Sequence, residues 1–451
     1  VPSAFLTFDT DAAATLSLHS PVVKNRKAAV VFILVTVTLD ILAMGLIIPV
    51  LPKLILDFLH GRMTSAANWN GWFGLVFALM QFFFSPVLGV LSDRFGRRPI
   101  ILLSNLGLGL DYVVMALAPS ISWLFLGRII SGITTSSIPT AMAYIADVTP
   151  KEKRASAFGM IGVAFGVGFA LGPALGGLLS SVNPRLAFWV AATFSLANWV
   201  WGYFFVPESL ATTQRKPFEL RRANPVGSLV LLRSHPELWR LATIQFLAYT
   251  AHNVFSVWAL YAIYRYAWNQ LSIGMSLMIV GVCTAAISGG LTGRMVKRFG
   301  ERRTLYTGQF FGATGMFIAG LARHGTLYMG SVPIISLWNM SMPAAQGLMT
   351  HRVSAREQGE LQGAIGSLRS ITFIIGPVLF SQIFSFFIDP KHWFHVPGAP
   401  FFLGAALLFT AMLMATRVEQ PEFAPAQIAP AGVPEMVAPE SIVTTGPKEK
   451  V

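Results

Sequence analysis

A chain of 451 residues that is 54% hydrophobic and only 12% charged, with a mean hydropathy of +0.61, is not one water-soluble globule, because most of its surface must face lipid. The net charge of +13 would suit a nucleic-acid partner only if the basic residues formed one patch; they fall in short segments between apolar runs, so no nucleic-acid partner is expected. A single cysteine, Cys283, excludes a disulfide framework or a cysteine metal cluster, and no metal is expected.

From Val1 to Val23 the chain is mildly polar, and Lys24, Arg26 and Lys27 precede the first apolar run. That run, 28–50, is too long for a signal peptide, contains Asp40, and ends at Pro49 and Pro52 without a small-residue cleavage site, so it reads as a retained first span. Crossing a core about 30 Å thick at 1.5 Å per residue takes about 20 residues. Twelve runs meet that length: 28–50, 70–91, 99–118, 121–142, 155–179, 186–206, 239–262, 272–293, 304–322, 327–349, 361–384 and 398–416. The predicted fold class is an all-α membrane protein of twelve transmembrane helices.

The longest internal break, 207–238, is basic (Arg215, Lys216, Arg221, Arg222, Arg233) and divides the spans six and six. This gives an N-terminal segment 1–27, a half 28–206, a linker 207–238, a second half 239–416, and a Pro- and Ala-rich tail 417–451 expected to be disordered. With the N-terminus cytoplasmic, roughly 25 Lys and Arg fall in cytoplasmic segments, about 6 in outward loops and two inside spans. Both termini and the linker are therefore expected in the cytoplasm.

The two halves echo each other. Gly89-Val-Leu-Ser-Asp93-Arg94-Phe95-Gly96-Arg97-Arg98 returns, degraded, as Gly293-Arg-Met-Val-Lys297-Arg298-Phe299-Gly300-Glu301-Arg302, an offset of 204 residues. The same offset carries Gly172-Pro173 onto Gly376-Pro377. One internal duplication explains both matches, and it implies pseudo-symmetric halves with substrate bound between them.

The corner at 89–98 is too short for a nucleic-acid patch and concentrates charge at a hinge. Asp93 is expected to accept from a neighbouring helix N-terminus and pair with an arginine, with Arg94, Arg97 and Arg98 beside it; plain positive-inside anchoring is the alternative. In the fifth span, Gly162, Gly166, Gly168, Gly172, Gly176 and Gly177 recur at nearly four-residue spacing around Pro173, a stripe without Cβ that permits close helix approach and a kink.

Three ionisable residues lie inside apolar spans, Asp40, Asp111 and Arg128, where an unpartnered charge costs a few kcal/mol at least. At the helical rise, Asp111 lies about 12 Å, Arg128 about 10 Å and Asp40 about 15 Å from the outer ends of their spans. All three can line one cavity, and a buried ion pair between Asp111 and Arg128 is the plainer alternative. In the second half, His252 beside Asn253 is a titratable candidate and Arg369 either faces the cavity or snorkels towards the cytoplasm. Gln245, Gln309, Trp338, Asn339 and Gln346 are candidates for an amphipathic lining, with helix packing as the alternative for each.

Gly89 to Leu102 resembles the loop motif of the major facilitator superfamily almost letter for letter. Leu39-Asp40 through Pro49-Val50-Leu51-Pro52, Gly127-Arg128-Ile-Ile-Ser-Gly132 and Gly168-Phe-Ala-Leu-Gly172-Pro173-Ala-Leu-Gly176-Gly177 narrow the resemblance to its drug/proton antiporters. Leu110-Asp111-Tyr112 and Tyr144-Ile-Ala-Asp147 extend it to the tetracycline efflux pumps over nearly the whole twelve-span region. The resemblance implies the major facilitator fold and proton-coupled export of an amphipathic drug from the cytoplasm. It implies no cofactor beyond the coupling proton, no enzymatic activity, a monomer, and a place in the bacterial inner membrane. It also implies coupling roles for Asp40, Asp111 and Arg128, a gate at Gly89, Asp93, Arg94, Gly96, Arg97, Arg98 and Asp147, and an antiport role for Gly168, Gly172, Pro173, Gly176 and Gly177. The match departs in the ninth span, where those pumps carry a carboxylate and Gly312 stands here, with Gln309 the nearest polar side chain. Export of an endogenous metabolite, uncoupled facilitation, and a non-transporting receptor or scaffold are the other readings.

Overall fold

The computed structural model describes residues 21–135, 137–150, 153–215, 229–233, 236–354 and 357–419. Most of the expected N-terminal segment, the linker residues Lys216, Arg221 and Arg222, and the tail from 420 onward lie outside the described residues. Among the described residues every regular element is helical. Lipid offers no partner for backbone N–H and C=O, so a long apolar run satisfies itself by coiling into a helix.

Among the described residues, eight helical stretches are long and apolar enough to cross a membrane on length and composition. One of them, Gln270–Leu321, breaks at Gly300 (φ 79°, ψ 165°) and therefore holds two spans. Shorter or more aromatic helices occupy the remaining expected runs. We label the rods α1 (Pro21–Ile47), α2 (Met63–Phe95), α3 (Arg97–Leu117), α4 (Ile121–Val148), α5 (Arg154–Val182) and α6 (Leu186–Phe205) in the first half. The second half holds α7 (Pro236–Tyr266), α8 (270–299), α9 (301–321), α10 (325–350), α11 (Gln358–Ile388) and α12 (Ala399–Ala415). A short helix, Leu51–Phe58, follows α1, and another, Leu229–Arg233, lies inside the expected linker. Helices run past the apolar stretches that mark them: α2 starts at Met63 rather than 70, and α7 at Pro236 rather than 239.

The repeat seen in the sequence is also a repeat of backbone shape. Gly96 (φ 110°) and Gly300 (φ 79°) turn the α2–α3 and α8–α9 corners in a region that L side chains avoid. Pro173 and Pro377 lie inside α5 and α11, the equivalent helices of the two halves.

Small residues decide how these rods pack. On one face of α5, a Cβ added at Gly176 would lie 2.1 Å from the Leu46 carbonyl oxygen, and one at Gly172 would lie 2.8 Å from Gly45 Cα, so α1 sits directly on glycine. The other face meets the second half: a Cβ at Gly177 would lie 2.4 Å from the Gln270 carbonyl oxygen, and one at Gly274 would lie 2.2 Å from that of Pro173. The symmetry-related contact joins α2 to α11, where Cβ atoms at Gly71 and Gly74 would meet Ser381 at 2.8 Å and Pro377 at 2.5 Å. Two hydrogen bonds tie the same end, Asn70 Nδ2 to the Ser256 carbonyl (2.9 Å) and Ser385 Oγ to that of Thr64 (3.2 Å).

Towards the end that carries the basic corners, the halves separate. Gly159, Gly162 and Gly166 on α5, Gly289 and Gly293 on α8, Gly89 on α2 and Gly366 on α11 all face open space, and Val163 on α5 is 65% exposed. The bundle is thus a wedge, sealed at one end and open at the basic end. An aromatic knot reinforces the second half at the sealed end. Trp258 stacks on Tyr328 at 3.8 Å between centroids, and the Tyr261 and Tyr266 hydroxyls donate to the Ala319 and Ala322 carbonyls at the end of α9.

Candidate functional site

Between the halves, on the inner side of the seal, lies a cavity of about 380 Å³. Its first-half wall carries Asp40 and Met44 from α1, Phe73, Phe77 and Gln81 from α2, Tyr112 from α3, and Arg128, Ser131 and Thr135 at α4. Its second-half wall carries Phe255, Ser256, Trp258, Ala259, Leu277, Phe373 and Pro377, none of them charged. A polar, ionisable wall faces an apolar one, an arrangement suited to an amphipathic solute.

The acid–base cluster is built by the crossing of α3 and α4. Gly127 lets them approach: a Cβ there would lie 2.7 Å from Asp111 Oδ1 and 2.7 Å from Met115 Cγ. Asp111 is fully buried and accepts a hydrogen bond from Ser131 Oγ. Ser131 also lines the cavity, so its hydroxyl connects the hidden carboxylate to the solute space. Arg128, three residues earlier on the same helix, places its guanidinium 4.6 Å from the centre of the Phe77 ring. It lies within electrostatic reach of Asp111, but among the described residues the two form no direct salt bridge. Ser131 takes the carboxylate and Phe77 the guanidinium, so the structure does not show the alternative of a direct ion pair between the two. Asp40, 6% exposed, lines the cavity one turn from Thr36, whose hydroxyl donates to Asn198 Oδ1 at 3.1 Å and fixes α1 against α6. The three expected residues do converge, with Asp40 and Arg128 in the wall and Asp111 one hydroxyl behind it.

The polar candidates of the second half divide differently. Asn253 donates from Nδ2 to the Tyr249 and Thr372 carbonyls (2.8 and 3.2 Å), and Gly376 leaves it room, so it locks α7 to α11. Asn339 donates to Thr284 Oγ1 at 3.3 Å and joins α10 to α8, and Gln346 donates to Gln362 Oε1 at 3.0 Å and joins α10 to α11. Gln245 and Gln309 are buried within the half, 2% and 1% exposed, and neither lines the cavity. None of Gln245, Gln309, Trp338, Asn339 and Gln346 is among the residues lining this cavity; Gln346 is exposed, and the others are buried or half-buried between helices. Trp338 fills the space above Gly312: a Cβ at Gly312 would lie 2.9 Å from Trp338 Cβ and 2.8 Å from Leu408 Cδ1. The ninth-span position at which the resemblance departs, with Gly312 in place of a carboxylate, is thus closed by packing. His252 is exposed, its ring 5.7 Å from that of Trp338 and 5.4 Å from that of Phe255; Phe255 lines the cavity and His252 does not.

At the basic end, Arg97 donates to Asp93 (2.5 Å), Ser92 (2.7 Å) and Asp147 (3.2 Å), joining the ends of α2, α3 and α4. Asp93 does not cap α3. That role falls to Glu208, whose carboxylate accepts from the Arg97 and Arg98 backbone amides (2.8 and 3.2 Å) and from those of Ser209 and Leu210. Glu208 was not anticipated, since it follows the sixth span in what reads as linker; the Pro207-Glu208-Ser209 turn is the one signal it leaves. Arg98 donates to the Tyr203 carbonyl at 2.5 Å. Gly89 faces open space and Arg94 lies over Phe95. Each of these bonds stays inside the first half, so the cluster ties α2, α3, α4 and α6 to each other rather than one half to the other. Among the described residues no group of three or more His, Cys, Asp or Glu is placed to hold a metal ion.

A two-halved helical bundle that is sealed at one end, open at the other, and lined by intramembrane ionisable groups defines a transporter of the alternating-access class. Comparison with known proteins places it further. The Major Facilitator Superfamily model matches residues 33–377 and, in a second placement, 244–443. Tetracycline resistance protein, class C, of Escherichia coli is 37% identical over 385 residues, 85% of this chain and 95% of that protein. Its class D counterpart from Salmonella ordonez is 32% identical over 364 residues, 80% of this chain and 90% of the relative. Among solved structures, that of the nucleoside transporter NupG superposes with a TM-score of 0.72 at 10% identity, covering 87% of this chain and 100% of that one. The chain belongs to the Major Facilitator Superfamily, in the group of the tetracycline resistance proteins, and it is a transporter rather than an enzyme.

Proposed function

We propose that this protein exports an amphipathic, drug-sized solute from the cytoplasm in exchange for protons, with tetracycline the first substrate to test. The observation that carries the reading is the Asp111–Ser131 contact opening on the cavity beside Asp40 and Arg128. An intramembrane carboxylate needs a compensating charge, and proton and solute can supply it in turn. The basic corners mark the cytoplasmic end by the excess of Lys and Arg, with both termini on that side of a bacterial inner membrane. The open wedge is then the inward-facing state, ready to load, and resealing at the basic end with opening at the other would release the solute outward. One proton moving inward down 100 mV supplies about 2.3 kcal/mol, enough to hold about a fiftyfold solute gradient before any pH difference is added. The contacts described lie within one chain, and a monomer is sufficient for this cycle.

Tetracycline uptake into inside-out vesicles, with and without an imposed pH gradient, tests the reading beside an Asp40→Asn control. Gradient-driven uptake that the control abolishes supports it. Uptake that ignores the gradient would leave an uncoupled facilitator. The packing of Trp338 over Gly312 gives a second reading some weight, in which another amphipath is the substrate; then a wider panel of amphipaths, and not tetracycline, shows gradient-driven uptake.

A further inference from the structure

The segment joining α11 to α12 takes no part in the cavity, yet it displays the most exposed large apolar side chain among the described residues, Trp393, at 95%. The backbone beneath that side chain is well bonded. It folds back beside the last turn of α11, where the Val396 amide donates to the Phe387 carbonyl (3.1 Å) and His392 Nδ1 to that of Phe386 (2.9 Å). At the turn, Asp389 accepts from the His392 amide through its carbonyl (3.1 Å) and from the Lys391 amide through Oδ1 (3.0 Å). Rings stack on this frame. The His392 ring lies 4.2 Å from that of Phe386 and 5.5 Å from that of Phe394, 4° from parallel to the latter. The Trp393 indole stands edge-on to Phe394 at 5.3 Å. A further contact ties the segment to α7, where the Tyr264 hydroxyl and His395 Nε2 are 3.0 Å apart. An ordered frame therefore holds an indole outward.

Helix length sets the depth at which this happens. α12 has 17 residues, about 25 Å at the helical rise, against a hydrocarbon core about 30 Å thick. Its start therefore lies no higher than the edge of the core, and it packs there at the end of α9: a Cβ at Gly398 would lie 2.1 Å from the Gly320 carbonyl oxygen. The segment 389–396 leads into that entry, so it occupies the boundary between acyl chains and head groups. Two more exposed indoles mark the same boundary. Trp123 and Trp189, 47% and 42% exposed, stand in the first turns of α4 and α6, which begin at the same sealed end. Indoles suit this level because the ring is apolar while its N–H still reaches polar groups. Phe386, 49% exposed and outside the cavity wall, continues the patch onto the outer surface of α11.

We propose that the segment 389–396 is a lipid-docking surface, with Trp393 and Phe386 seated among the glycerol and upper acyl groups of phospholipid in the leaflet at the sealed end. The Tyr264–His395 contact passes this grip to α7, whose last turns build the seal, so lipid steadies the second half at that end. Nothing in this surface depends on what the cavity carries.

The test uses the full chain in a Cys283→Ser background, one copy per phosphatidylcholine nanodisc, so that no second copy can cover the patch. Nitroxide labels are placed at Trp393→Cys, at Asp57→Cys, exposed on the short helix after α1, and at Leu110→Cys, exposed on α3. Power saturation then reads collisions with oxygen, which concentrates among acyl chains, and with a nickel chelate confined to water. The ratio of oxygen to nickel collisions at 393 is expected to exceed that at 57 by about threefold or more, towards the value at 110. A ratio at 393 equal to that at 57 overturns the proposal. A second measurement reads the indole itself, as the fluorescence difference between wild type and Trp393→Phe. Phosphatidylcholine brominated high on its acyl chains should quench that difference and aqueous iodide should not; quenching by iodide alone also overturns the proposal. Neither measurement involves transport, so a failure of export in vesicles and a failure of lipid docking here are separate results.

Discussion

The contact between α5 and α8 provides a direct way to tilt the wedge. A Cβ introduced by Gly177→Ala would stand 2.4 Å from the Gln270 carbonyl oxygen and 3.0 Å from Leu271 Cα. Both obstacles are backbone, so no side chain can rotate aside, and relief requires the helices to part by about 1 Å, an overpacking that costs about 1–3 kcal/mol. That cost falls only on the state sealed at this end. Gly162, on the same helix, has nothing near a new Cβ, so Gly162→Ala costs this state nothing. In the opposite state the basic ends of α5 and α8 must come together, and there the added methyl at 162 should clash. Spin labels at Val163→Cys on α5 and Ser288→Cys on α8, in a Cys283→Ser background, read the width of the open mouth by double electron–electron resonance. Gly177→Ala should shift the population towards the narrow mouth by about fivefold or more, and Gly162→Ala should hold or increase the wide one. The reasoning fails if Gly177→Ala leaves the distribution unchanged, or if Gly162→Ala narrows it.

Other consequences follow from single contacts. Glu208→Ala removes the acceptor of four backbone amides at the start of α3 and in the following turn, and should lower stability by about 2 kcal/mol, seen as a lower Tm in detergent, with Glu208→Gln less affected. Ser131→Ala takes a hydrogen-bond donor from buried Asp111 and should cost about 1–3 kcal/mol; combining it with Asp111→Asn should be less than additive in the same melt, because the bond is then already altered. Gly312→Asp should destabilise the fold through collision with Trp338 and Leu408, by about 1–3 kcal/mol from overpacking alone. Combined with Trp338→Ala, which removes the ring but keeps the Cβ, the two losses should be less than additive, and full additivity would mean that burying the charge, not crowding by the ring, is the obstacle.

The gross fold was legible because lipid leaves little choice: an apolar run of membrane length must be a helix, and a 204-residue repeat must give two like halves. The glycine stripe of α5 was legible as close packing, though not that Gly172 and Gly176 seat α1 while Gly177 seats the other half. Facing was the hidden quantity. A helix that is apolar on all sides has no polar stripe to separate core from cavity, so Gln245, Gln309 and Asn339 looked eligible for a lining although none of them lines it. Depth arithmetic brought Asp40, Asp111 and Arg128 to one level but could not show that Ser131 would take the carboxylate and Phe77 the guanidinium. Glu208 lay beyond the last apolar residue of its span, where hydropathy stops giving information.

The duplicated corners carry the same backbone and opposite chemistry, and the difference has a measurable sign. At the common offset, Arg97 and Asp147 correspond to Glu301 and His351, and both pairs are in contact, at 3.2 Å and 3.5 Å. The first corner is centred on an arginine whose side chain is 13% exposed and which binds Ser92, Asp93 and Asp147 together. The second pairs a glutamate with a histidine whose side chain is 48% exposed and charged only when protonated. Removing a cation that organises three partners should cost about 2 kcal/mol, whereas an exposed pair contributes below about 1 kcal/mol. Arg97→Ala should therefore lower Tm clearly, and His351→Ala hardly at all, at pH 7 in detergent. A fall as large for His351→Ala as for Arg97→Ala would contradict this ranking and give the two corners equal mechanical weight. The expected asymmetry fits the cavity itself, where the first half supplies the ionisable groups and the second an apolar surface, the basic end of the second half being tied instead by Arg240 and Arg352 to Glu237 and by Arg302 to the Thr416 carbonyl.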